Sequence, residues 1–344
     1  MLLFNMLFKA MFGWAMHSVY NVDAISASTH ARIEKKFQDN LIGANPAFIK
    51  FAEKEGKVLI DGGKELTFPV IVDDGNAGSY FGDDVLTVSR PGGLQPLTFA
   101  WKQFFSTIVI DGIEEVMNSG PEEGASILEG RMKQGESTTA NAFDVMLNGD
   151  GTGNSSKDWN GFQNLIADDP TTGTIGGLSR ATYTQVRNQT FTTAVTGFNT
   201  AQAGRNAMTR LYVDCTKGQR SPNWGETTKA IWVLYQLSLT ANERFMMDGD
   251  KKLASAGFQN IVFMGDCPIT FSDNCLASHL YLMRIAKPKT TGGIFLLFNR
   301  DRYFKLGKFI EPADQDKRIA KVLSAGQLAT DAPYLNGVAT SITG

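Results

Sequence analysis

One long helical signal ending at Asn148 constrains this chain more than any other feature. Ser119 or Gly120 is placed to cap it. Pro121 stands at the first helical position, where its missing N–H costs nothing, and Glu122 and Glu123 complement the positive end of the helix dipole. Leu128, Met132, Gly135, Thr139, Phe143 and Met146 then recur at three- and four-residue steps, and Asn148-Gly149-Asp150-Gly151 is the stop. Residues 121–148 make a rod of about 42 Å, longer than most compact domains need. Gly124, Gly130 and Gly135 each weaken such a helix by about 1 kcal/mol relative to Ala, which points to close backbone approach or a bend.

Upstream, the pattern is strands and turns. Val58-Leu59-Ile60 ends at Asp61-Gly62-Gly63, residues 66–72 are apolar and β-rich, and residues 97–110 read as one strand carrying Phe99, Trp101, Phe104, Phe105, Ile108 and Ile110. Between them, Asp74-Gly75-Asn76-Ala77-Gly78 and Pro91-Gly92-Gly93 supply turn chemistry around Tyr80-Phe81 and the strand-like residues 85–88. Long strands around so long a tip predict a protruding β-hairpin, and connections of this length are usually functional.

A helix is expected from Ser28 or Thr29 through Ile33 and Phe37, ended by Asn45-Pro46, with a shorter one at 47–55. Beyond the loop 149–161, the pattern reads as strands at 162–166 and 175–186, a helix at 203–215, a strand at 230–235 and a helix at 239–247. Strands follow at 261–264, 269–271, 280–285, 294–298, 304–309, 319–328 and 335–342, giving an α+β chain without repeats.

Charge narrows the function. Lys+Arg is 33 against Asp+Glu 35, a formal net charge of -2, whereas a protein that coats nucleic acid normally carries a basic excess. With 42% hydrophobic residues and 23 Phe the chain is not disordered, and 20% charged residues with 35 Gly fit a globular protein of many turns whose surface is largely covered by partners. Cys215, Cys267 and Cys275 are odd in number and lack C-x-x-C spacing, as expected of buried or inert thiols in a reducing compartment. His17, His30 and His279 are too scattered for a metal cluster.

Residues 1–20 are unusually apolar, but Asn5, Lys9, Gly13 and His17 recur every four residues. A helix there has a narrow polar stripe and a broad apolar face, and falls short of the roughly 18–20 uninterrupted apolar residues of a membrane span. The expectation is a partner-docking arm or translated leader, with an export or membrane role as the alternative.

Chemical motifs are sparse. No Walker loop, G-x-S-x-G, S-x-x-K or H-E-x-x-H occurs. Gly149-Asp150-Gly151-Thr152-Gly153-Asn154 reads as a helix-ending turn, with an ion site as its alternative, although Gly161 stands where an EF-hand loop needs Glu. The pairs Asp73/Asp74, Asp83/Asp84, Asp168/Asp169 and Glu122/Glu123 read as turn or helix-dipole residues rather than acid/base pairs. Cys267 and Cys275 read as buried small residues rather than a redox pair. Arg300, Arg302, Lys305 and Lys308 read as the exposed face of a strand, with steering of an anionic partner as the alternative. No catalytic, cofactor-binding or metal residue is singled out, and no cofactor is expected.

The order of these parts resembles tailed-bacteriophage major capsid proteins of the Hong Kong 97 type. Phe99-Ala100-Trp101-Lys102 through Ile108-Val109-Ile110-Asp111-Gly112 to Asn118-Ser119-Gly120 is similar to that family's return strand from the extended loop into its spine helix. Asn148-Gly149-Asp150-Gly151, Trp159-Asn160-Gly161-Phe162-Gln163-Asn164-Leu165-Ile166, Gly176-Gly177-Leu178-Ser179-Arg180 and Arg187-Asn188 resemble the segment after the spine. Gly257-Phe258, then Phe263-Met264-Gly265-Asp266-Cys267-Pro268-Ile269, and finally Gly326-Gln327-Leu328 with Asn336-Gly337-Val338, resemble later stretches. The resemblance spans residues 28–344 and leaves residues 1–22 outside it.

It implies a Hong Kong 97-type fold: an N-terminal arm (1–27), the start of a peripheral domain (28–59), an extended loop (60–112), spine helix and peripheral domain (113–194), an axial domain (195–295) and a return to the peripheral domain (296–344). The implied function is that of a non-enzymatic subunit forming hexamers and pentamers in an icosahedral phage head, assembled in the host cytoplasm and located in the virion, with no membrane. Scaffolding, portal and decoration proteins are its implied partners, and packaged double-stranded DNA is contacted non-specifically. Some members seal the shell through an extended-loop lysine, but no lysine lies between Lys64 and Lys102, so a non-covalent shell is expected. An encapsulin-like nanocompartment shell, an exported surface protein and an unrecognised enzyme are the alternatives.

Overall fold

The computed structural model describes residues 45–53, 56–89, 92–117, 127–192, 197–199, 203–238, 261–263, 267–288 and 292–344. The helices expected at 28–37 and 239–247, the cap and first turn at 119–123, and the apolar stretch 1–20 lie outside the described residues.

Helix α1 (Pro46–Phe48) runs on as a π-helical turn, Ile49–Glu53, into strand β1 (Lys57–Ile60). Strands β2 (Leu66–Ile71) and β3 (Leu94–Phe99) pair antiparallel as the hairpin arm, and β4 (Lys102–Asp111) leads into α2 (Gly112–Met117). The described part of the long helix is α3 (Ile127–Leu147). Next come α4 (Phe162–Leu165), the two-residue strands β5 (Thr174–Ile175) and β6 (Leu178–Ser179), β7 (Gln189–Phe191), α5 (Ala203–Asp214), β8 (Trp224–Thr227) and α6 (Lys229–Ser238). The remaining strands are β9 (Ile261–Phe263), β10 (Cys267–Phe271), β11 (Leu280–Met283), β12 (Ile294–Asn299), β13 (Lys305–Leu306), β14 (Lys317–Thr330) and β15 (Gly337–Ala339).

Two sheets organise these elements. In the first, β14 is the spine: its first part pairs with β4 from Lys317↔Asp111 to Gly326↔Lys102, and its end pairs with β12 from Phe298↔Gly326 to Ile294↔Thr330. The second runs β7-β15-β11-β8-β10-β9. Side-chain alternation assigns the faces. On β4, Ser106, Ile108 and Ile110 are buried while Phe105, Thr107 and Val109 are exposed. On the second sheet, Trp224, Tyr281, Met283 and Val338 enter the main core, whereas Ile269, Leu280, Leu282 and Ala339 pack with Met208, Leu211 and Ile231 of α5 and α6 in a second core. Helix α3 lies so close to β4 that a Cβ on Gly135 would stand 2.7 Å from Cγ1 of Ile108, a close approach that accounts for this one of its glycines, while Gly124 lies outside the described residues.

Several elements depart from the sequence pattern. Residues 230–235 lie in helix α6, not a strand: Ile231 and Tyr235, four apart, are buried while Val233 and Leu237 face outward, so apolar residues on the wet side disguised a 3.6-residue period. Within residues 162–166, Phe162–Leu165 form the single turn α4 in place of a strand, with Phe162 and Leu165 three apart and buried, because a short apolar run fits either period. The strand expected over 97–110 breaks at Ala100-Trp101, where the chain passes from the arm to the first sheet and Nε1 of Trp101 donates to Gly63 O at 2.8 Å. Residues 175–186 yield only the β5–β6 turn, bent through Gly176 and Gly177 at φ 52° and 83°, and a 3-10 turn at Thr184–Val186. Only Lys305–Leu306 of the expected 304–309 strand pairs, and residues 85–88 join no ladder.

Candidate assembly surfaces

The hairpin arm buries its root and exposes its end. Leu66, Val72, Leu97 and Phe99 sit in the main core, Thr98 N donates to Gly176 O at 2.8 Å, and Val72 N donates to Gly93 O at 2.8 Å. Beyond that last bond every described residue from 73 to 89 is exposed, including Tyr80, Phe81, Val85, Leu86 and Val88. Phe81 is 90% and Val85 97% exposed, values of an unfolded chain, yet each would gain about 25 cal/mol per Å² of apolar surface covered. Such a concentration of exposed apolar side chains marks an interaction surface. A second strip, Phe105 and Val109 on the outer face of β4, continues through Ile113, Val116 and Met117 of α2.

The basic cluster is exposed as expected, although not on one strand. Arg300 and Arg302 lie in a 3-10 turn capped by Asn299, Lys305 lies on β13, and Lys308 follows it. Arg300 pairs with Asp61 at the root of the arm at 2.9 Å.

The candidate acid/base and ion-binding residues take structural places. Asp150 accepts from the N–H and hydroxyl of Thr152, which hold its carboxyl below the usual range, and a left-handed turn at Asn154, Ser155 and Ser156 follows. Asp169 is engaged by Thr171 in the same way, and Asp168 meets His279 at 3.1 Å. Asp73 and Asp84 accept from backbone N–H groups of their own turns, and Glu122/Glu123 lie outside the described residues. Among the described residues no three His, Cys, Asp or Glu are placed to hold a metal, and no helix is long and apolar enough to cross a membrane. Cys215, Cys267 and Cys275 are buried, and burial pushes the thiols of Cys215 and Cys275 up.

Sequence reasoning missed a buried carboxylate pair joining α3 to the second sheet. Asp144 accepts from Phe48 N at 2.9 Å and from Nδ2 of Asn274 at 2.8 Å, with Oγ of Ser272 at 3.4 Å. Burial pushes it up to about 6 despite those bonds. Glu226, fully buried on β8 beside Trp224, has neither oxygen in a hydrogen bond. Burial first, and the Asp144 charge second, push it well above the usual carboxylate range, while nearby Asn148 and Ser272 offset only part. The available signal was a carboxylate one residue from Phe143 and three from Leu147 on the buried face of the helix.

Both carboxyls are raised on folding, so the folded chain holds protons that the unfolded chain releases above about pH 4, and stability falls as pH rises. Glu226→Gln is expected to unfold with the parent chain near pH 4. Above that it becomes more stable by about 1.4 kcal/mol per pH unit, until Glu226 ionises in the fold. Urea titrations at several pH values check this, and parallel pH profiles for the two chains would refute it.

No family model matches the chain and no curated protein matches it. Solved structures do. A chain of the cyanophage A-1(L) capsid asymmetric unit aligns with a TM-score of 0.65 at 16% identity, over 91% of this chain and 97% of that one. A chain from the capsid of a native GTA particle aligns with a TM-score of 0.65 at 9% identity, over 95% and 100%. The SrpI encapsulin from Synechococcus elongatus aligns with a TM-score of 0.54 at 10% identity, over 94% and 96%. Along nearly its whole length, this chain has the α+β fold of capsid and encapsulin shell subunits.

Proposed function

We propose that this chain is the major structural subunit of an icosahedral bacteriophage head, built from hexamers and pentamers and enclosing double-stranded DNA. The observation that carries the reading is the arm. Residues 73–89 expose Phe81, Val85 and Val88 without burying them on their own subunit, in a chain whose fold is otherwise that of shell subunits. The arm is then the extended loop of a Hong Kong 97-type subunit, α3 its spine helix, 195–295 its axial domain, and the first sheet part of its peripheral domain. A net charge of -2 suits an inner wall that encloses DNA without binding it tightly. The subunit acts as a structural protein without catalytic chemistry, assembles in the host cytoplasm with scaffolding, portal and decoration proteins, and resides in the virion.

Negative-stain microscopy of the expressed chain, with and without a coexpressed scaffolding protein, tests this. Closed shells support the proposal, and a chain that stays monomeric in both preparations overturns it. An encapsulin-like nanocompartment is the second reading, with the SrpI likeness behind it at a lower TM-score than the cyanophage and GTA capsid chains; its shells would contain an enzyme cargo in place of DNA. With no lysine between Lys64 and Lys102 the shell is held non-covalently. Particles heated in SDS are expected to run as monomer alone, and a ladder of covalent multimers would contradict this.

A further inference from the structure

Away from the arm, cations from separate parts of the sequence meet around one tyrosine. After α5 the chain turns back on itself. Lys217 N donates to Arg220 O at 2.9 Å and Arg220 N to Lys217 O at 3.1 Å, with Gly218 in the left-handed region at φ 62°. Both side chains reach Tyr334, in the 3-10 turn Pro333–Leu335: Lys217 Nζ stands 4.4 Å from the centre of its ring, and Arg220 Nη1 lies 3.5 Å from its hydroxyl. Arg284, just beyond β11, joins them from a third segment. Its Nη1 donates at 2.7 Å to the carbonyl of Ser221, next to Arg220, and its backbone N–H donates at 2.9 Å to Oδ1 of Asn336, close to Tyr334 in the chain. Asn223 fixes the arrangement, donating to Ile285 O at 2.9 Å and accepting from Ile285 N at 2.7 Å.

The charge gathered there is not balanced within the described residues. None of their carboxylates forms an ion pair with Lys217, Arg220 or Arg284. Lys217 and Arg220 are exposed, and Arg284 is half-buried. Of the donors on the Arg284 guanidinium only Nη1 has a partner among the described residues, and Nε is buried without one. Burial first, and the charge of Arg220 second, push this guanidinium below its ordinary range, although an arginine stays charged. Backbone and amide hydrogen bonds therefore hold like charges beside one another with no anion between them, an arrangement that costs free energy until one binds.

We infer that Lys217, Arg220 and Arg284 form a binding site for an oxyanion of the phosphate class, with Tyr334 as the platform that positions Lys217 and Arg220. Arginine forks take phosphate oxygens in pairs, and a lysine adds a compact point charge. A bound phosphate group relieves the repulsion between Arg220 and Arg284 and supplies acceptors that the fold leaves missing. Free phosphate and the phosphodiester backbone of enclosed DNA offer the same chemistry. The site is complete within one subunit, so it goes beyond the proposed function and does not depend on a shell.

Calorimetric titration of the full-length chain with sodium phosphate, near neutral pH and at constant ionic strength, tests this. Lys217→Gln with Arg220→Gln is expected to weaken phosphate binding by about ten-fold or more, since two charge-assisted contacts are lost. Lys305→Gln with Lys308→Gln, which removes two exposed cations elsewhere on the surface, should leave it unchanged. In chloride buffer the first variant should melt at or above the parent, because a like charge has gone from beside Arg284, so its lost binding is not lost folding. A short DNA duplex added to the phosphate-loaded parent identifies the source. Displacement of phosphate assigns the site to DNA phosphodiesters, and retention assigns it to free phosphate. A parent that takes up no phosphate, or two variants weakened alike, overturns the site and leaves the proposed function standing. A chain that stays monomeric yet binds phosphate as expected overturns only the proposed function.

Discussion

Replacing residues 73–92 with Asn-Gly is expected to abolish particles while leaving the subunit folded. The cut falls just outside the Val72–Gly93 hydrogen bond, so the arm keeps its ladder and its buried Leu66, Val72, Leu97 and Phe99. Asn-Gly is the preferred two-residue connection for antiparallel strands, because both residues accept positive φ. Every described residue removed is exposed, so no core contact is lost, and closing a much shorter loop favours the folded state by about 2 kcal/mol. The melting temperature is therefore expected to match or exceed that of the parent. Assembly has no such compensation, since Tyr80, Phe81, Val85, Leu86 and Val88 leave together with four aspartates. Light scattering and negative-stain microscopy on the same preparation read the two effects separately. Normal shells from the shortened chain would show that the arm is dispensable, and a chain that fails to fold would show that its end is structural.

The sequence carried the periodic elements well and the long-range ones poorly. The stop after α3 and the close approach at Gly135 were legible, because each is a local event: a run of turn residues, and a helix former replaced by the one residue without a Cβ. The hairpin root was legible for the same reason, although its return strand was read across the break at Trp101. That break depends on Gly63, 38 positions away, which no local pattern encodes. Helix α6 was misread because its exposed face carries Val233 and Leu237, residues a solvent face ordinarily lacks. Their exposure marks another face with apolar surface to cover. The Asp144–Glu226 pair was out of reach as a pair: one carboxylate lies on a helix and the other on β8, and only alternation along β8, which turns Glu226 to the same side as Trp224, brings them together.

Phe143→Ala is expected to have the opposite outcome to the shortened arm: the subunit itself fails. Phe143 is fully buried where α3 crosses the first sheet, and its ring meets those of Trp159 at 5.0 Å, Phe304 at 5.4 Å, Phe104 at 5.6 Å, Phe48 at 6.0 Å and Phe298 at 6.1 Å. Those partners come from α1, β4, the loop after α3, β12 and the turn before β13, so one side chain ties five separate segments to the helix. Truncation removes the transfer energy of the ring and leaves a cavity that rigid aromatic neighbours collapse into poorly, a cost of about 3–5 kcal/mol. Against a total stability of roughly 5–15 kcal/mol this consumes a large share, and the urea midpoint should drop accordingly. Phe143→Leu, which refills most of the volume, should recover more than half of the loss. Phe81→Ala supplies the contrast, since a ring that is 90% exposed should change subunit stability by no more than about 0.5 kcal/mol. If Phe143→Ala and Phe81→Ala unfold at the same urea concentration, the aromatic junction is not what holds α3 to the sheet.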